Sequence, residues 1–356
     1  FLGDAYKGND TNLKKGLLTG VMRVGRESIF SEWNNFSVYG ITSTYFSDSF
    51  GFTQDETRAI LSHFGLQGKM PEVEKWYDGY KFGNTAHIYN PWSIVNYIAN
   101  KDDGFKPYWV NTGDYSLIKE RITEAGTKEK IQKLIEGESI EKQVKENFIF
   151  SDFEYDIELI WTLLAYNGYL TQLEAGKYGN YKLKIPNKEV KSAFTDIIMT
   201  WLNTQVKIKR DLLIATSEHL INNRIEEFEA GFRQIVGDTL SYFDFDNEPE
   251  KTFHTYTLGL LAVLGDDYMI KSNRESGTGR YDIMLVPHDK SGNGIVIEIK
   301  QTDGQAENES TDAFRARVEG LQNEALHQIT RNQYYKELEA HKIPAGRIIK
   351  LAIVFA

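Results

Sequence analysis

The chain has 356 residues, 41% of them hydrophobic and 26% charged, with no cysteine and a formal net charge of −10. Those proportions describe ordinary globular material of two or three domains, exclude disulfides, thiolate metal sites and cysteine nucleophiles, and fit a cytoplasmic protein. No apolar run approaches the roughly 18 residues of a membrane span, and the acidic balance argues against a protein that coats nucleic acid by bulk electrostatics.

The first region covers residues 1–124. Residues 16–30 read as a buried strand that includes Leu17 and Leu18, followed by a polar break. Gly20 and Gly25 have the spacing of a phosphate loop, but Arg26 and Glu27 stand where a lysine and a hydroxyl residue would reach phosphate and Mg2+. A nucleotide site is therefore rejected there. Trp76, Tyr77, Tyr80, Trp92, Tyr108 and Trp109 are too irregularly spaced for a base-stacking module and are assigned to core packing with hydrogen-bonded tips. The chain opens at Phe1 without methionine or signal sequence, and Ala356 closes it inside an apolar strand, so both ends read as cut.

The middle region, residues 125–247, reads as mostly helical. Residues 155–166 form an apolar-periodic helix, and 168–174 and 181–185 alternate as strands about a glycine-rich turn. Helix followed by hairpin suggests a winged helix near 155–186, with Lys177, Lys182 and Lys184 on a wing better suited to packing than to phosphate. Glu189-Val190-Lys191, behind Pro186 and the cap residue Asn187, opens an ordinary solvated helix. Residues 225–243 form an amphipathic helix with Phe228, Phe232, Ile235 and Leu240 toward a core. The acidic run 244–250 marks the boundary to a last domain, 248–356.

In that domain residues 249–264 read as a helix with Pro249 at a favourable first position. Strands follow at 267–274, 280–286 and 294–301, then a second long helix within 313–340 and a buried strand at 347–356. Along 294–301, Ile295, Ile297 and Ile299 alternate with Val296, Glu298 and Lys300, which places Glu298 and Lys300 on one face. The linker 287–294 is rich in Asp, Ser, Asn and Gly, so the strands it joins form a hairpin, and Asp282 comes within about one residue of facing Glu298. Two carboxylates and an ammonium then converge. Carboxylates held close together repel unless a cation lies between them, and hard oxygen ligands suit Mg2+ or Mn2+. The reaction class implied is metal-assisted hydrolysis of a phosphodiester. Glu-x-Lys alone is weak, since a charged pair on a strand is most often a solvated sheet face; the paired Asp strand and the flanking elements reverse that.

These elements resemble the PD-(D/E)xK nuclease superfamily, whose core runs helix, three strands, helix, strand. The likeness is closer still to a bacterial family in which such a domain follows an AAA-ATPase-like region, through Glu250-Lys-Thr-Phe-His254, the run from Ser272 to Asp282, Glu298-Ile-Lys300 and the run from Ala325 to Tyr334. The fold class implied is a multidomain α/β protein. It has a C-terminal αβββαβ restriction-endonuclease-like core, an N-terminal remnant of the ATPase-like α/β region and the helical middle. By position, the resemblance makes Asp282 and Glu298, joined by the main chain at Ile299, the metal-binding set, and Lys300 the catalytic lysine. Glu250 is a further acidic catalytic group, on one helical face with His254, although an acid in a first helical turn also follows from the macrodipole. Gln328 lines the site, Tyr334 follows it at a spacing longer than in some relatives, and Arg274 and Arg280 face phosphates or flank the turn at Gly277 and Gly279. The implied cofactor is Mg2+ or Mn2+ and the implied partner is nucleic acid, DNA favoured. Since residues 249–356 are nearly charge-balanced, affinity comes from the metal, local basic residues, a protein partner or a second copy of the chain. ATP is a partner only together with the nucleotide-binding half of an ATPase-like region, which residues 1–124 do not contain. The rival class is a non-catalytic interaction scaffold, against which the intact Asp282, Glu298 and Lys300 count.

Overall fold

A computed structural model describes residues 9, 11–20, 37–110, 127–145, 155–156, 158–242, 257, 259–260, 262–276 and 279–355. The chain is a mixed α/β protein that divides into two compact units, residues 1–194 and 195–356. Leu17 and Leu18, expected in a buried strand, are exposed and in no strand. The rest of the expected phosphate-loop-like segment lies outside the described residues.

Among the described residues the first helix is α1, Gln54–His63, which starts at a capping box: Thr53 and Glu56 satisfy each other's backbone N–H groups. Helix α2 (Met70–Tyr77), the hairpin of β1 (Tyr80–Phe82) and β2 (Thr85–Ile88), and helix α3 (Pro91–Ala99) follow. α3 has its first turn fixed by the Asn90 side chain and by proline at a position that needs no N–H. Leu61, Val73, Tyr77, Tyr89, Ile94 and Tyr97 form one core cluster, and the Tyr77 hydroxyl donates to the Lys106 carbonyl at 3.0 Å. Tyr77 is thus a core residue with a hydrogen-bonded tip; Tyr80 is buried too, but its hydroxyl has no hydrogen-bond partner among the described residues, and Trp92 is 55% exposed and not part of that packing.

Helix α4 (Lys128–Ile135), β3 (Ile140–Gln143), helix α5 (Leu159–Tyr166), β4 (Thr171–Ala175) and β5 (Asn180–Lys184) build a three-stranded antiparallel sheet in the order β3-β5-β4. The expected helix and hairpin are here, but the helix starts at Leu159, with Tyr155 in a turn, and β3 adds a strand that the sequence did not announce. Leu159 through Ala165 are all buried, as a helix apolar all round must be.

Helix α6, Lys188–Trp201, runs across the boundary between the units. Asn187 caps it, its side chain accepting from the Val190 N–H at 3.0 Å. The expectation of a solvated first turn is wrong at Glu189, which is fully buried. Its carboxylate accepts from the Tyr108 and Trp109 N–H groups, each at 2.7 Å, and from the Ser93 hydroxyl at 2.7 Å. Burial pushes its pKa up, and those three donors oppose the shift.

In the second unit, helices α7 (Arg210–Ile221) and α8 (Ile225–Tyr242) precede the sheet, and Phe228, Phe232 and Ile235 are buried as the amphipathic pattern requires. Of the expected helix 249–264, the described residues 257, 259–260 and 262–264 are helical. The sheet runs β6 (Tyr268–Ser276), β7 (Gly279–Pro287), β8 (Gly294–Gln301) and β9 (Ile348–Phe355), in that spatial order. Its first two pairings are antiparallel and the last is parallel. Helices α9 (Thr311–Arg331) and α10 (Tyr335–Ala340) make the crossover that a parallel pair needs. The expected single long helix is therefore two. β9 is not the buried strand its apolar run announced: only Ile353 is buried, because the strand lies at the sheet edge and is flanked on one side only.

Candidate active site

β8 is a central strand buried on both faces through its first five residues, Gly294 to Glu298, after which exposure rises at Ile299 and Lys300. Its ladder to β7 pairs Leu285 with Ile295, Met284 with Val296 and Ile283 with Ile297. One step further in the same register brings Asp282 opposite Glu298, on the face that carries Met284, Val296 and Lys300. Met284, Val286, Val296, Ile329, Tyr334, Leu338 and Ile343 pack together beneath that face. The charged groups stand at the rim of this core.

At that rim the main-chain ladder gives way to a side chain. The Ile299 N–H donates to Asp282 Oδ2 at 2.7 Å, which orients one carboxylate and ties Ile299 into the site through its amide. Glu298 is 3% exposed. One of its oxygens, Oε1, accepts from the Gln328 side-chain amide; the other, Oε2, is buried and has no hydrogen-bond partner among the described residues. Desolvation raises the Glu298 carboxyl first, the charge of Asp282 raises it further, and Lys300 partly offsets both, leaving it at about 7. Asp282 is also raised by burial, against the Ile299 hydrogen bond and the Lys300 charge.

Lys300 Nζ donates to Gln328 Oε1 at 2.6 Å and lies 3.8 Å from Glu298 Oε1 and 3.9 Å from Glu324 Oε1. Gln328 therefore lies between carboxylate and ammonium, its nitrogen toward Glu298 and its oxygen toward Lys300. α9 delivers it, after starting at Ser310, whose hydroxyl accepts from the Ala313 N–H. The helix ends on a left-handed residue, Gln333 at φ +58°. The Tyr334 N–H reaches the Ile329 carbonyl at 3.2 Å and the Gln333 N–H reaches Thr330 at 3.2 Å, the double bond of a Schellman turn. That turn folds Tyr334, fully buried, back under the site. Its hydroxyl oxygen accepts from Asn332 Nδ2 at 2.8 Å and from Gln328 Nε2 at 3.4 Å.

The structure thus brings together Asp282, Glu298, Ile299, Lys300 and Gln328. Glu250 and His254 lie outside the described residues. Arg274 and Arg280 stand on β6 and β7, where Arg274 pairs with Tyr281 and Arg280 with Glu275; their side chains lie outside the described residues. Glu324 and Asn332 were missed by sequence reasoning. Glu324 stands one helical turn before Gln328, so the i, i+4 spacing would have found it; Asn332 had no such signal, because its partner is reached through the turn.

A divalent cation fits what is present. Two partly desolvated carboxylates meet on one face, both with raised pKa values, and one presents a buried oxygen that none of the described residues satisfies; a bound cation would remove each of these costs. Among the described residues no group of three or more His, Cys, Asp or Glu side chains is placed to hold a metal ion. An ion here would rest on Asp282 and Glu298 with water and substrate oxygens, the habit of Mg2+.

Residues 248–356 match the family model of the PD-(D/E)XK nuclease superfamily, so the unit that holds this site carries a domain of that superfamily. The chain is also similar to a protein of Azotobacter chroococcum mcd 1 described as "Uncharacterized protein in vnfD 5'region", 26% identical over 343 residues that cover 90% of this chain and 62% of the relative. The chain therefore spans under two thirds of that relative's length. No solved structure matches the chain at a significant level. No helix among the described residues is long and apolar enough to cross a membrane.

Proposed function

We propose that the second unit is a Mg2+- or Mn2+-dependent phosphodiesterase acting on nucleic acid, DNA favoured, with Asp282 and Glu298 as the metal-holding carboxylates. The observation that carries this is the buried, unpartnered Oε2 of Glu298 beside Asp282 on the face that also presents Lys300. When bound, the ion supplies an acidified water and neutralises charge on the phosphodiester. Asp282 is held for its part by the Ile299 N–H, and Glu298 by the Gln328 amide. Lys300, partly exposed at the rim, donates a hydrogen bond to the attacking water or to a phosphate oxygen, where an ammonium offsets developing charge. Gln328 keeps that ammonium in place, and Glu250 and the two arginines are kept as proposed contributors by sequence position.

Upstream we propose, on sequence likeness, an ATPase-like segment over residues 1–124 and a helical middle over 125–247 with a winged-helix-like part near 155–186. Together they would serve as a regulatory module, with ATP a ligand only in the company of a nucleotide-binding half. The test is direct. The chain, incubated with Mg2+ or Mn2+, should cut single- or double-stranded DNA, and Asp282→Asn should not. If the wild type cuts neither DNA nor RNA, alone or with a nucleotide-binding half joined to it, yet retains a protein partner, the scaffold alternative replaces the enzyme.

A further inference from the structure

We infer that Asn332 and Tyr334 are positioning residues that hold the side-chain amide of Gln328 in place between Glu298 and Lys300 and through it fix the place of Lys300. The observation is the hydrogen-bond chain Asn332 Nδ2 to Tyr334 hydroxyl, Gln328 Nε2 to the same hydroxyl, and Lys300 Nζ to Gln328 Oε1. A glutamine amide has a donor end and an acceptor end of nearly equal size, so its orientation is set by its neighbours. Here the lone pairs of the Tyr334 oxygen receive two N–H groups, one from Asn332 and one from Gln328. Flipping Gln328 would point its carbonyl at the Glu298 carboxylate and its NH2 at the Lys300 ammonium. Both contacts are repulsive, and the site is largely buried, where an unmade hydrogen bond costs most; the Tyr334 hydroxyl, able to donate or accept, holds the amide in place in either case.

The device depends on the helix stop. In a continuous helix Tyr334 would sit six residues past Gln328, on another face. The left-handed Gln333 turns the chain so that the tyrosine returns beneath Gln328, packed against Ile329 and with its ring 6.0 Å from that of Tyr281. A fully buried Tyr334 cannot touch substrate. Its effect on chemistry passes through Gln328, and Asn332 acts one step further back.

The kinetic consequence rests on the proposed hydrolase activity; the positioning itself does not, so two readouts keep them apart. The first needs no activity. Competitive acylation of the full chain, read by mass spectrometry, follows the accessibility and mobility of Lys300, with Lys271, tied to Glu337 at 2.6 Å, as internal control. Tyr334→Phe and Asn332→Ala should each raise labelling of Lys300 roughly threefold to tenfold, the scale of one hydrogen bond, and leave Lys271 unchanged. The double variant should match the larger single effect, because both act on one chain of contacts. Where the wild type cleaves DNA, both variants should lower kcat with little change in KM. Unchanged Lys300 labelling in folded variants, or additive effects in the double, overturns the inference. If Tyr334→Phe does not fold, Asn332→Ala alone decides. A wild type that cleaves nothing counts against the hydrolase and leaves the labelling result to decide the positioning.

Discussion

The carboxylate of Asp282 takes the N–H of Ile299 at 2.7 Å, just beyond the last paired residues of the β7–β8 ladder, Ile283 and Ile297. A side chain there does what a carbonyl does one step earlier. The two strands can part without leaving Ile299 unsatisfied, and Asp282 is held close enough to Glu298 to raise its pKa. Asp282→Asn keeps an oxygen for Ile299 and removes a charge from the site. The protein should therefore fold normally, while divalent-ion binding, measured by titration calorimetry, weakens sharply and cleavage falls on the order of 100-fold or more.

Without metal, pH should act through Glu298. A carboxyl whose pKa is raised in the native state, here from 4.5 to about 7, holds more protons folded than unfolded. Stability contributed by this group is then present below about 4.5 and lost as pH rises toward about 7, and Asp282 shifts in the same direction. Denaturant melts of chelator-treated protein should isolate this as the difference between wild type and Glu298→Gln. The variant should be the more stable at pH 8, with the gap closing near pH 5. Divalent-ion affinity should climb over the same interval with proton release.

Helix α9 stops at a residue that is not glycine. Gln333 at φ +58° occupies a conformation glycine adopts without a Cβ penalty, so Gln333→Gly should raise stability by up to about 1 kcal/mol. Gln333→Val should lower it and loosen Tyr334. Thermal melts of the three proteins check the order Gly, Gln, Val.

Glu189 governs the first unit in a different way. Glu189→Ala leaves two backbone N–H groups and the Ser93 hydroxyl without their acceptor inside the core, at a cost of about 3 kcal/mol or more. Chemical denaturation should show that loss, with metal binding in the second unit unaffected if the two units are independent.

The face carrying Asp282, Glu298 and Lys300 was legible because period two and a turn-rich linker leave little freedom. The bounds of β8 follow from the glycine that opens it, and Glu298 and Lys300 share a face in any strand register. What stayed hidden depended on tertiary partners. A glutamate in a first helical turn looks solvated, and only the folded loop at Tyr108 and Trp109 shows why Glu189 is buried. A helix stop at Gln333 carries no glycine to announce it, so α9 and α10 read as one helix and the Asn332–Tyr334 contact could not be foreseen. The apolar run of β9 has the composition of a central strand, and nothing local tells an edge from a centre.

The central claim is that Asp282 and Glu298 hold one divalent cation. Anomalous diffraction from crystals of the full chain soaked in Mn2+ tests it most directly. The account predicts one strong anomalous peak within coordination distance, about 2.2 Å, of both carboxylates, lost in Asp282→Asn. A saturating soak that leaves this position empty, or a peak held by other residues with Gln328 still seated between Glu298 and Lys300, would contradict it.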